Sequence, residues 1–198
     1  LNSPEEQKKF SEEIYAKSVY ITELLEDINL SFKMDNTTAT MPMNPESLDL
    51  VAFMQQLTAD IANNPQAIDY DLGFMSDQDQ LMIKADPKLL RRAVQNLLMN
   101  AVLHNPSGTE ILVSVATDSK QVIVEISDNG NGISASARNH IFERYYREDQ
   151  KSNVNFSGGV GLAVVKNIIE AHKGVITCES EEGEGSTFRF TLPIVSQS

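Results

Sequence analysis

DPKLLRRAVQNLLMNAVLHN, residues 86–105, predicts a helix with two stripes rather than one. Asp86 followed by Pro87 is a start signal, because a carboxylate can accept from the first free N–H groups and proline fixes the first helical φ. Leu90, Val94, Leu97, Leu98 and Ala101 recur at three- and four-residue spacing and predict a buried face. Asn96, Asn100 and His104 fall one turn apart beside it. Asparagine is weaker than alanine in a helix interior by roughly 0.5–0.7 kcal/mol per residue. Two of them bordering an apolar face are either a solvated surface or a pair of amide oxygens aimed into a polar cavity, holding a cation or a phosphate-bearing ligand.

Working outward, the 198 residues, 41% of them hydrophobic, suffice for one core with an appended element. A formal charge of −12 argues against nucleic acid or an anionic membrane as the main partner. Cys178 is the single cysteine, which excludes an internal disulfide, and its setting GVITCES predicts a small residue packed in a strand. No apolar run approaches the ~20 residues of a membrane-spanning helix, and LNSPEEQKK is not a secretory leader. The chain opens on leucine, which suggests a piece of a longer polypeptide.

Upstream, Phe10, Ile14, Ile21, Leu25 and Ile28 predict one amphipathic helix whose apolar stripe has no neighbour in the sequence to receive it. DNTTATMPMNPES reads as a linker. LDL then predicts a short strand, and VAFMQQLTADIA a helix with Val51, Met54, Leu57 and Ile61 inward. AIDYDLGF and QLMIKA read as strands around the polar turn SDQD.

Downstream, TEILVSVATD and QVIVEISD alternate as a hairpin-like pair. SASARNHIFERY reads as helical, and REDQKSNVNFSGG as an irregular polar stretch. GLAVVKNIIEAHKG reads as a helix stopped by glycine, and GVITCES and STFRFTLP as closing strands. Elements that do not alternate strictly predict an α+β fold: a two-layer sandwich of helices on one face of a mixed sheet, preceded by the amphipathic helix.

Three further stretches carry chemistry. DNGNGI, Asp128 to Ile133, ends a strand; Asp128 there could accept a hydrogen bond from an exocyclic amine, which adenine offers and guanine replaces with a carbonyl. Read alone it is also a plain turn, whereas a calcium loop lacks its ligands, since the third and twelfth positions would be Gly130 and Asn139. SGGVGLAVV, Ser157 to Val165, puts glycines before a helix, where backbone N–H groups suit a phosphate. GEGSTFRF, Gly183 to Phe190, brings glycines into a strand with Phe188 and Phe190 facing the core.

In this order the four stretches resemble the N, G1, G2 and G3 boxes of the ATP-binding domain of sensor histidine kinases, in the superfamily that also holds gyrase, heat-shock-90 and MutL ATPases. IFERYYR, with Phe142, Arg144 and Arg147, resembles their F box. The resemblance implies domains at 1–35, the second helix of a dimerisation and phosphotransfer hairpin; 36–47, a linker; and 48–195, the nucleotide-binding catalytic domain.

It also implies ATP with Mg²⁺, Asn100 as metal ligand, Asn96 on the phosphates and Asp128 on the adenine amino group. Gly130, Gly132, Gly159 and Gly161 would line the nucleotide, joined by Ile133, Arg144, Val160, Leu162, Ser186 and Thr187. Arg147 would reach the γ-phosphate from a lid spanning 148–157, making Asn100 and Arg147 the catalytic pair. The implied partners are an acceptor-histidine domain of the parent chain or its dimer mate, and a response regulator. The implied location is the cytoplasmic portion of a membrane-anchored, homodimeric sensor.

Leu103 stands where the family usually carries a phosphate-contacting lysine, His104 at an aromatic position that packs on the nucleotide, and Ser157 at the first glycine of the G2 loop. None of His104, His140 and His172 lies in an acceptor setting; His172 is expected to serve its helix C-terminus electrostatically and His140 to be a surface residue. Two other readings stay open. One is a same-fold serine kinase or ATPase switch, although residues 89–104 lack the carboxylate base that hydrolysis needs. The other is a degenerate nucleotide-binding scaffold.

Overall fold

The computed structural model describes residue 10 and residues 41–118, 120–146 and 159–194. The chain divides into two compact units, 1–40 and 41–198. Of the N-terminal stripe only Phe10 is described; the others, with Arg147 and the segment 148–157, lie outside the described residues.

Among the described residues the second unit carries seven strands. β1 (Glu46–Asp49) and β3 (Met82–Ala85) pair antiparallel as a small ribbon. The other five are β2 (Asp71–Ser76), β4 (Glu110–Thr117), β5 (Gln121–Asp128), β6 (Ile176–Glu181) and β7 (Gly185–Pro193), and they form one open sheet in the order β2-β4-β5-β7-β6. Only β2 and β4 run parallel, so the sheet is mixed. The strands flanking SDQD therefore do not pair with each other: β2 joins the main sheet and β3 the ribbon. β1 begins at Glu46, inside the stretch read as linker.

Alternation decides which face is covered. Ile111, Val113 and Val115 on β4, Val122, Val124 and Ile126 on β5, and Phe188, Phe190 and Leu192 on β7 are all buried. Against them pack α1 (Leu50–Ala62), α2 (Pro87–His104) and α4 (Gly161–Ala171). The opposite face is open, with Met75 and Leu112 exposed. The architecture is thus the expected two-layer α+β sandwich.

The expected apolar faces hold. On α1, Val51, Met54, Leu57 and Ile61 are buried, and on α2 the predicted stripe is buried and widened by Ala93 and Val102. α3 (Ala135–Arg138) is much shorter than the helix read through 145; turns follow it, and Tyr145 sits at φ 63°, where a helix cannot continue.

The start of α2 is held by a buried network. The Asp86 carboxylate accepts from the N–H groups of Lys88 (3.0 Å), Leu89 (3.1 Å) and Asn44 (2.8 Å). The Asp86 N–H donates to His172 Nε2 at 3.0 Å, and His172 Nδ1 lies 2.8 Å from the Ile168 carbonyl. With Nε2 accepting and Nδ1 turned to the Ile168 carbonyl, His172 is a strut between the end of α4 and the start of α2. His172 thus sits at the end of its helix as expected and bonds the Ile168 carbonyl there, and the bond to Asp86 adds to that role.

Candidate functional site

The polar stripe of α2 lies where expected. Asn96 and Asn100 are half-buried, and His104 and Leu103 are exposed near the helix end. Among the described residues neither the Asn96 nor the Asn100 carboxamide has a hydrogen-bond partner, and neither amide's oxygen or nitrogen is sealed from solvent. Two open amides half-sunk in a helix face can bond to water or to a ligand.

α4 packs beside α2 and brings its first turn to this stripe. Its first residue, Gly161, is so placed that a β-carbon there would lie 3.3 Å from Asn96 Oδ1. α4 starts at Val160 without a side-chain cap, leaving its first N–H groups available. The positive end of a helix and an asparagine carboxamide thus share one corner, which suits a phosphate. The Val160 side chain is 2% exposed and belongs to the core, so only its backbone faces this corner. Leu162 and Gly159 are half-buried at the same helix start, and the Gly159 carbonyl accepts from the Tyr145 N–H at 2.7 Å, bringing the F-box segment to it. Arg144 of that segment is half-buried.

Asp128, at the end of β5, shares sheet parity with the buried Val124 and Ile126 and so faces the helical layer. Ser186 is its cross-strand partner on β7. Gly185 stands at φ 104°, and a β-carbon there would overlap the Asp128 carbonyl, so β7 can close on Asp128 only with glycine at that position. Thr187 leaves this group: it pairs with Ser127 on the opposite face, the two hydroxyls 3.0 Å apart. Burial pushes the Asp128 carboxyl up from its ordinary range, against hydrogen bonds from the Gly130 N–H, the Asn105 side chain and the Ser186 backbone that favour the ion.

The loop after Asp128 is fastened on two sides. The Ile133 N–H donates to Ser180 Oγ (2.8 Å), the Gly183 N–H to the Asn131 carbonyl (2.7 Å), and Gly132 packs on the Glu181 carbonyl. On the α2 side, the Asn131 N–H donates to Asn105 Oδ1 (2.8 Å) and Asn131 Nδ2 to the His104 carbonyl (2.9 Å). Asn105 and Ser180 are site-building residues that the sequence reading passed over; only the place of Asn105 at a helix end hinted at a capping role.

The remaining candidates behave as bystanders. His140 is exposed, with Nδ1 2.8 Å from Glu143 Oε1, and burial pushes the Cys178 thiol up to about 12. A Cys178 thiol held that high is a packed residue and not a nucleophile.

Comparison with known proteins gives the family. Residues 85–196 match the family described as Histidine kinase-, DNA gyrase B-, and HSP90-like ATPase. The sensor histidine kinase YvrG of Bacillus subtilis is 33% identical over 184 residues, 93% of this chain and 31% of the relative. Full-length ShkA, solved in complex with AMPPNP, shares the fold at a TM-score of 0.74 and 22% identity, over 91% of this chain and 36% of that one. The catalytic domain of histidine kinase ThkA does so at 0.67 and 22%, over 77% of this chain and 97% of that one. The chain spans about a third of the length of the curated relatives it matches. The fold, the asparagine helix meeting a glycine-led helix, and the family match together place this chain in the histidine kinase-, gyrase B- and HSP90-like ATPase family, with the ATP-binding catalytic domain of sensor histidine kinases as its kind.

Proposed function

We propose that the chain binds ATP with Mg²⁺ and transfers the γ-phosphoryl group to a histidine outside its own sequence, on the dimerisation hairpin of its parent or dimer mate. Residues 1–35 would be the second helix of that hairpin, 36–47 the linker and 48–195 the catalytic domain. The observation that carries the reading is the corner where Asn96 meets the uncapped start of α4. It supports phosphate binding one turn from Asn100 and on the same sandwich face as Asp128.

Asn96, the N–H groups at Gly161 and Leu162, and Arg147 would hold the phosphates; Asp128, with Ser186 and Ile133 beside it, would hold the base. Asn100 would bind Mg²⁺, a cation that accepts a few protein oxygens and neutralises phosphate charge. Among the described residues no group of three or more His, Cys, Asp or Glu side chains could hold a metal ion, so the phosphates would supply much of the coordination. The chain's own contribution to transfer is positioning and charge stabilisation, with no covalent step on the domain. The recipient of the phosphohistidine would be a response regulator. Among the described residues no helix is long and apolar enough to cross a membrane. The likeness to sensor kinases supports, as the proposed setting, the cytoplasmic part of a homodimeric, membrane-anchored sensor.

Titration with ATP, ADP and GTP, with and without Mg²⁺, tests the binding. The expected result is adenine-selective binding with ATP affinity raised by the metal. Asn100→Ala is expected to reduce that Mg²⁺ dependence, whereas Asn100→Asp, which keeps an oxygen and adds a charge, is expected to bind in a manner set by metal concentration. If neither variant changes it, Asn100 is not the metal ligand.

Incubation with γ-labelled ATP tests the chemistry. The chain alone is expected to take up no acid-labile label, and to label an added domain bearing the acceptor histidine. Acid-labile label on the chain itself would make one of His104, His140 or His172 an acceptor. Acid-stable label would favour a serine kinase.

A further inference from the structure

We infer that Asn105 is the positioning residue for base recognition in this domain, and that Gly130 is a glycine to accommodate the Asn105 carboxamide rather than to admit a nucleotide. The inference rests on the ATP-site reading and goes one layer behind it.

Asn105 is the last residue of the asparagine stretch, and its backbone leaves the helix in an extended conformation at φ −114°, ψ 157°. That exit turns its side chain back over the end of α2, where Nδ2 donates to the Ala101 carbonyl at 2.9 Å. Its Oδ1 accepts from the Asn131 N–H at 2.8 Å, in the middle of the loop that begins at Asp128. Its backbone carbonyl is fixed as well, accepting from Tyr70 Oη at 2.8 Å. One carboxamide therefore satisfies an orphan helix carbonyl and a loop N–H together, tying the helix of Asn96 and Asn100 to the loop of Asp128.

Gly130 lies directly under this carboxamide: a β-carbon there would overlap the Cγ and Oδ1 of Asn105. Its φ is not in the left-handed region, so its backbone conformation is open to alanine. The obstacle to a side chain at 130 is thus Asn105 itself. With Gly130 in contact, its N–H donates to Asp128 Oδ1 at 3.0 Å, so the position of the loop passes directly to the carboxylate. The hydrogen bond from Asn105 also favours the ionised form of Asp128 against the burial that disfavours it.

The test is a double-substitution cycle on the full chain, with Asn105→Ala, Gly130→Ala and the pair together. Calorimetric Kd values for ADP and GDP and thermal midpoints without nucleotide are measured. Asn105→Ala is expected to weaken ADP about tenfold and to narrow the ADP-over-GDP preference, because Asp128 is no longer held in register. Gly130→Ala is expected to lose at least as much in the native background. With Asn105→Ala already present it should cost less than about twofold, since the overlapping amide is gone. The same non-additivity is expected in the thermal midpoints, which report the interlock even where binding is too weak to measure.

Equal cost of Gly130→Ala in both backgrounds would overturn the inference, because the glycine would then serve the ligand. So would Asn105→Ala with a lower midpoint but native ADP affinity and base preference, which is the mark of a helix cap alone. Failure of the ATP reading is distinct: the unsubstituted chain would bind no adenine nucleotide, and the assignment of Asn105 would fall with it.

Discussion

Asp128→Asn is expected to weaken ATP and ADP alike, by a factor on the order of 10–100, while the nucleotide-free protein keeps its stability or gains some. The two halves come from one cause. An ionised carboxylate only accepts hydrogen bonds, and it would meet the exocyclic amine of adenine with a charge-assisted bond. Its location costs stability in the empty protein, because burial raises the Asp128 carboxyl above its ordinary value of 3.8. The sign follows from linkage. A carboxyl raised on folding makes the native state bind more protons than the unfolded chain between the two pKa values, so stability falls as pH rises through that window and stays lower above it. Asparagine removes the charge and with it that loss. Thermal midpoints of both proteins at pH 4 and pH 7, beside nucleotide Kd values at pH 7, check the result. A variant that is less stable at pH 7 and still binds ADP normally would remove Asp128 from base recognition.

Asp86→Ala is expected to destabilise the domain by about 2–4 kcal/mol, a large share of what a domain of this size possesses. The side chain is no ordinary cap. Besides the Lys88 and Leu89 N–H groups it accepts from Asn44, and at 7% exposure little water can replace it. Burial alone would raise this carboxyl, but the hydrogen bonds from Asn44, Leu89 and Lys88 outweigh it and hold the pKa below 3.8. The linkage runs opposite to that of Asp128. The stability contributed by the Asp86 charge is fully present above 3.8 and is lost as pH falls through the lower folded value. Urea unfolding at pH 7 should show the full difference between wild type and Asp86→Ala, and at pH 2–3 a smaller one. A difference that stays constant over this range would mean that the charge contributes nothing and that packing alone is lost.

How legible these features were in the sequence depended on how local their causes are. The α2 stripe, its Asp-Pro start and the alternation of β4, β5 and β7 are written in neighbouring residues, and the structure follows them. Pairing is not local. Nothing within DLGFMS says that β2 runs parallel to β4 while β3 turns away to β1, because those partners are chosen by the layer of helices above the sheet. Phe142 and Ile141 suggest a helix through 145, yet the backbone there is claimed by Gly159, far along the chain. The bond from Asp86 to His172 is not legible because the two lie 86 residues apart. Thr187 was misjudged although local: strict alternation from Phe188 and Phe190 already puts Ser186 on the inner face and Thr187 on the outer.

The His172 strut has a mechanical consequence. α4 is fastened at its far end to the start of α2, by one hydrogen bond through a buried ring. Its near end approaches Asn96 at Gly161, where no side chain intervenes. Between those ends Ala163, Val164, Val165, Ile168 and Ile169 are buried, so its 11 residues, roughly 16 Å long, are held along their length. The contact of Gly161 with Asn96 is thus set by the packing of one whole rod, with the ring of His172 fixing its other end.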